Sequence, residues 1–175
     1  MPDICLYAQV HQPYRLSQYT LFDVGTGKGY FDAAANIGIL RRVADKCYLP
    51  TNALLLDLIQ RSGGNFRLAL SLSGVLLEQL EHHAPDALDS FRRLVDTGAV
   101  ELLGETYFHS LASLADLAEF ERQVEMHRQV LFRLFGRRPE VFRNTELIYW
   151  DELAPTIAKL GFRGVLAEGA DRVMD

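Results

Sequence analysis

Five apolar runs too short for helices punctuate this chain, and helical periodicity fills the stretches between them. The runs are Ile4 to Val10 (ICLYAQV), Phe66 to Leu72 (FRLALSL), Val100 to Gly104 (VELLG), Val141 to Asn144 (VFRN) and Gly164 to Ala167. Near-continuous apolar character over so few residues fits strands covered on both faces. Between the first two, Ile39, Leu40, Val43 and Cys47 share one helical face, and Leu54, Leu55, Leu58 and Ile59 share another. Pro50 with Thr51 is expected to separate these helices, and Gly63-Gly64 to stop the second. Further helices are expected over Gly74 to His82, Pro85 to Thr97, residues 116 to 135, and Asp151 to Leu160.

Strand and helix in strict alternation imply an α/β fold with a mostly parallel sheet. Two architectures remain open. Five strands make a small doubly wound sheet, or the first part of a parallel β/α barrel, which usually takes about 250 residues. The chain ends soon after its fifth strand, which favours the barrel and an N-terminal part of one over residues 1–175.

The barrel reading says where to look for chemistry, because such folds carry it at the C-terminal ends of their strands. Strand one runs into His11. Strand two ends near Ser71 and Ser73. Strand three holds Glu101 and ends at Glu105, with Tyr107 and His109 just beyond. Strand four leads to Arg143 and Glu146, and strand five ends at Glu168. Any one of these has a bland explanation as a strand's exposed position or a hydrogen-bonded loop residue. Their recurrence at one rim points to a site. His82, His83 and His127 sit among charged neighbours and are expected at the surface.

The partners are constrained by charge. A formal charge of −5 on 175 residues disfavours nucleic acid and anionic membrane, and leaves a neutral substrate unopposed. DVGTGKGY, residues 23 to 30, lacks phosphate-loop spacing and does not run from a strand into a helix. Cys5 and Cys47 read as buried free thiols, and no leader or membrane-length apolar run is visible, so a reducing cytoplasm is the expected compartment.

Three stretches carry a family resemblance: VHQPYRL (10 to 16), VELLGETYFHSL (100 to 111) and FRNTELIY (142 to 149). In this order and spacing they resemble the first three signature regions of glycoside hydrolase family 57, in its α-amylase-like branch. The resemblance implies an incomplete barrel of seven β/α units, here about the first five strands. It implies action on α-glucans such as starch, glycogen and maltodextrins, with retention of anomeric configuration and no cofactor. Glu146 matches the nucleophile, His11 the substrate-binding histidine and Glu101 the active-site glutamate of the second region. Gln9 stands where some branches carry another histidine. The family's acid/base aspartate belongs to a fourth region absent from this sequence.

Around this framework, Arg143 and His109 are expected to bind substrate, Arg143 is also expected to keep Glu146 ionised where the two side chains lie on the same side, and Trp150 offers an indole for stacking on a sugar face. Glu101, Glu105 and Glu168 are acid candidates on position alone. Truncation is expected to leave apolar surface and a strand edge that require a missing C-terminal portion or self-association. Two rival readings stand beside this one. The first is a carbohydrate-binding fragment without catalysis. The second is a metal-dependent, polysaccharide deacetylase-like hydrolase using His11, His109 and a glutamate.

Overall fold

The computed structural model describes residues 4–169. Strands β1 (Tyr7–Val10), β2 (Leu68–Leu72) and β3 (Val100–Leu102) form a parallel sheet in that order, and β4 (Val141–Arg143) pairs in parallel with β5 (Gly164–Leu166). A parallel bridge between Gly104 and Phe142 joins the two pieces. There the Gly104 N–H donates to the Val141 carbonyl at 2.8 Å, and the Arg143 N–H donates to the Gly104 carbonyl at 2.8 Å. The five strands therefore follow one another in sequence order across one arc. A doubly wound sheet reverses its order at a switch point. The arc is that of an incomplete β/α barrel.

Seven helices, α1 (Ala33–Val43), α2 (Leu49–Arg61), α3 (Gly74–His83), α4 (Pro85–Asp96), α5 (Ala112–Ala115), α6 (Leu117–Phe135) and α7 (Leu153–Lys159), occur among the described residues. Strand alternation sorts side chains between the helices and the open face. Leu68, Leu70 and Leu72 of β2, with Val100 and Leu102 of β3, enter a core with Leu76, Leu80, Phe91, Leu94 and Leu131. A smaller core gathers Phe120, Val124, Phe142, Leu153, Ile157 and Phe162.

Local chemistry sets the helix ends. Asp116 caps α6 by accepting the N–H groups of Ala118 and Glu119, and Gly136 ends it at φ 64°, the left-handed conformation that a side chain disfavours. Pro50 does not separate two helices, contrary to the sequence expectation. The chain passes from α1 through a π-helical turn, Ala44–Tyr48, directly into α2, with Pro50 in its first turn. The wider turn makes a register break where the missing proline N–H does least harm.

Two more expectations are corrected here. Cys5 and Cys47 are free but exposed. Cys5 lies just before β1, which has no outer strand neighbour among the described residues, and Cys47 lies on the outward side of the π-turn. His127 is fully buried. It shares the face of α6 that buries Phe120, Val124, Leu131 and Leu134.

Gly104 is the tightest point of the junction. A Cβ there would lie 2.5 Å from the Phe162 ring. Gly104→Ala is therefore expected to push Phe162 out of the smaller core and destabilise the chain by about 1–3 kcal/mol. Urea denaturation checks this, the expected result being a lower midpoint at an unchanged slope.

Candidate active site

The loops that leave β1, β3 and β4 converge at the C-terminal rim. His11 follows β1 directly. Its Nδ1 lies 2.7 Å from the Ser73 hydroxyl, which also caps α3 by accepting the Leu76 N–H. With one proton and a second lone pair free, the Ser73 hydroxyl can donate to or accept from His11 Nδ1, according to the tautomer. Burial, and next the neighbouring His109, push the His11 pKa below the ordinary histidine value. Its ring centroid is 4.5 Å from that of His109.

Glu105, at the end of β3, is fully buried. His127 fixes its backbone: the Glu105 N–H donates to His127 Nδ1 at 3.3 Å, and His127 Nε2 donates to the Leu72 carbonyl at 2.8 Å. One imidazole thus holds the ends of β2 and β3 in register. Burial, the largest cause, drives the His127 pKa down and keeps this ring neutral.

The chain then turns so tightly that His109 adopts φ 54°. Its Nδ1 lies 3.2 Å from Glu105 Oε2, and its Nε2 lies 3.2 Å from Glu146 Oε1. Glu105 chiefly, against the opposing effect of burial, raises the His109 pKa, and Glu146 adds to this. The Gln9 amide reaches the same ring, its terminal group 2.9 Å from Nε2. The atom in contact is the amide nitrogen Nε2, which donates to the ring only when His109 Nε2 is unprotonated and so competes with the Nε2–Glu146 bond.

Glu146 itself sits at φ 54° in a 3-10 turn, Thr145–Leu147, and its side chain is 69% exposed. Left-handed backbone at a residue with a side chain costs about 1–3 kcal/mol and persists only where the surroundings impose it. Here Asn144 Nδ2 donates to Ser113 Oγ and the Ile148 carbonyl, and the Thr106 and Thr145 hydroxyls meet at 3.2 Å. These contacts tie the loop after β3 to the loop after β4. The carboxylate is thereby projected into solvent from a rigid mount.

Of the residues singled out in the sequence, the structure brings His11, His109 and Glu146 together, with Arg143 on the adjoining strand. Arg143 is buried, and its Nε and Nη1 have no hydrogen-bond partner among the described residues. Glu146 is hydrogen-bonded to His109, and no Arg143–Glu146 bond is present among the described residues. Glu101 stands apart. It is exposed on the sheet face away from the helices, in register with Ala69. It lines a groove of about 480 Å³ with Arg67, Arg137, Arg138 and Glu140, near the strands' N-terminal ends. Trp150 packs part of its indole against the smaller core. Glu168 is exposed beyond β5. No group of three or more His, Cys, Asp or Glu side chains able to hold a metal ion occurs among the described residues.

Ser73, Gln9 and His127 were named in the sequence without a role in the site. Only His127 left a signal there, in its heptad-like spacing with Phe120, Val124 and Leu131.

A β/α arc with a carboxylate–imidazole cluster at its strand ends defines a barrel-type scaffold whose chemistry lies at one rim. The family model for "Glycosyl hydrolase family 57" matches residues 5–175, and the chain belongs to that family. A Methanocaldococcus jannaschii protein named "Putative alpha-amylase" is 41% identical over 168 residues, covering 95% of this chain and 36% of the relative. The chain thus spans about a third of that relative's length (36%). The 4-alpha-glucanotransferase of Thermococcus litoralis superposes with a TM-score of 0.69 at 20% identity, covering 92% of this chain and 21% of that one. A GH57-type branching enzyme of Pyrococcus horikoshii gives 0.66 at 17% identity, covering 92% and 41%. At these identities the two structures show the fold.

Proposed function

We propose that this chain carries the nucleophile half of a retaining glycoside hydrolase or transglycosylase acting on α-glucans, with Glu146 as the nucleophile. The observation that carries this reading is the placement of Glu146. An ionisable carboxylate stands exposed at a strand end, on a backbone held in the left-handed region, against a histidine that is itself held by a buried glutamate. A neutral polyol substrate suits this rim, and the relatives named for α-glucan chemistry favour starch, glycogen or maltodextrin.

Retaining hydrolysis needs a second carboxyl group about 5–5.5 Å from the first, to protonate the leaving oxygen and later deprotonate water. Glu105 is fully buried and bonded to His109, so it has no path to a glycosidic oxygen. Glu101 lies towards the other end of the sheet. The resemblance to the family implies that the acid/base aspartate belongs to a fourth region, and this reading assigns it there, outside these 175 residues. Ile4 and Leu6, beside the outer edge of β1, are exposed, which favours association with a further portion of a barrel or with another copy.

The purified chain is expected to bind maltooligosaccharides and to turn them over little or not at all. Titration followed by fluorescence of Trp150, the chain's only tryptophan, reads the binding, and a reducing-sugar assay reads the turnover. α-Maltosyl fluoride separates the two halves of the reaction, because fluoride leaves without protonation. Glu146 attacks the anomeric carbon, a C1–O bond forms, the C–F bond breaks, and fluoride departs with the electron pair. Slow fluoride release without maltooligosaccharide cleavage is the expected result. Robust cleavage by this chain, abolished by Glu146→Gln, would contradict the assignment of the acid elsewhere.

A further inference from the structure

We infer that His109, anchored by the buried Glu105, is a positioning residue that clamps the Glu146 carboxylate in its reactive orientation. This rests on the reading of Glu146 as the nucleophile and extends it to the groups that hold it. His109 faces a carboxylate on each ring nitrogen, Glu105 at 3.2 Å and Glu146 at 3.2 Å. A neutral imidazole has one N–H and can donate to one of them. Only the imidazolium donates to both.

Burial divides the roles of the two carboxylates. Glu105 is wholly buried, its backbone N–H pinned by His127, and its second oxygen has no partner among the described residues. Its one side-chain hydrogen-bond partner among the described residues is the His109 ring. Glu146 is exposed on the far side and is free to meet a substrate. His109 and Glu146 are both left-handed at φ 54°, on two different loops, and their side chains meet in a direct hydrogen bond beside the Thr106–Thr145 contact. A reactive carboxylate on a strained, solvent-facing turn needs an orienting partner, and the structure supplies one with a buried counter-charge behind it.

The other charged groups facing His109 limit the clamp. Arg143 on β4 and, when protonated, His11 after β1 oppose its charge, while Glu105 and Glu146 favour it, and Gln9 is neutral. The balance leaves the His109 pKa above the ordinary 6.5 and that of His11 below it. The clamp is therefore complete at lower pH and loses one of its two bonds as pH rises through the raised His109 pKa.

Two measurements on the 175-residue chain test this. Imidazole resonances followed by NMR across pH should show His109 titrating above 6.5. Glu105→Gln should lower its proton affinity at least tenfold, and Glu146→Gln by less. Trapping with 5-fluoro-α-D-glucosyl fluoride should then be slowed about tenfold below the His109 pKa in His109→Gln, with its pH dependence flattened. Glutamine keeps a donor but cannot titrate. Glu105→Gln, nearly isosteric, should act in the same direction, and it carries the test if the histidine variant does not fold. A His109 that titrates at or below 6.5 and ignores Glu105→Gln overturns the inference, as does a His109→Gln trapping profile identical to the unmodified chain. Failure of the unmodified chain to trap at Glu146, with His109 titrating as expected, overturns the nucleophile reading instead, and the clamp's role with it.

Discussion

Glu146→Gln is expected to reduce fluoride release from α-maltosyl fluoride to the rate in buffer alone. An amide of the same shape occupies the turn and keeps a hydrogen-bonding group towards His109. It has no anionic oxygen to attack the anomeric carbon. Loss of a nucleophile typically lowers rates by about 10⁴-fold or more, equivalent to roughly 5.5 kcal/mol of barrier. Stability should change little, because the side chain is 69% exposed. A fluoride electrode reads the rate, and a thermal melt confirms that the variant is folded. Unchanged fluoride release from a folded variant would remove Glu146 from the chemistry.

His127→Ala is expected to have the largest effect on stability. The substitution leaves the Glu105 N–H and the Leu72 carbonyl without their partner in a dry interior and opens a cavity between α6 and the sheet. Each orphaned group costs about 1–3 kcal/mol, so a total of about 3–5 kcal/mol is expected. The pH dependence carries a second signature. Burial holds the folded-state pKa of His127 below its unfolded value of 6.5. Above 6.5 both states are neutral at this ring and its contribution is complete. As pH falls below 6.5 the unfolded chain takes up a proton that the folded chain refuses, and stability drops until the depressed pKa is reached. The variant should lack this acid-side loss. Urea melts at pH 8 and pH 5 measure both effects, and a variant with the same acid-side slope would assign the loss to other groups.

The scaffold was legible because its signals are local. Strands such as FRLALSL and VELLG announce themselves in a few residues, and the stops at Gly63-Gly64 and Gly136 lie beside the helices they end. The exposed Cys5 was misread because apolar neighbours suggest a covered strand, and nothing local says that a strand lacks an outer neighbour. His127 was misread for the opposite reason. Glu125 and Arg128 flank it in sequence, yet Glu125 points to solvent and Arg128 lays its guanidinium over the Phe162 ring, and the 120–124–127–131 spacing was the better guide. Glu146 and His109 could be named from their positions after strands. Their left-handed backbones and the imidazole shared between Glu105 and Glu146 could not, because those arise only where two loops distant in sequence are packed together.

Incubating the chain with 5-fluoro-α-D-glucosyl fluoride and locating the sugar by mass spectrometry tests the central claim most directly. The fluorine at C5 slows breakdown of the glycosyl-enzyme and lets the ester accumulate. Trypsin should release the segment Asn144 to Lys159, and its fragments should carry one glycosyl group, on Glu146. An adduct on Glu101, Glu105 or Glu168, or a chain that binds maltooligosaccharides but never forms the ester, would contradict it.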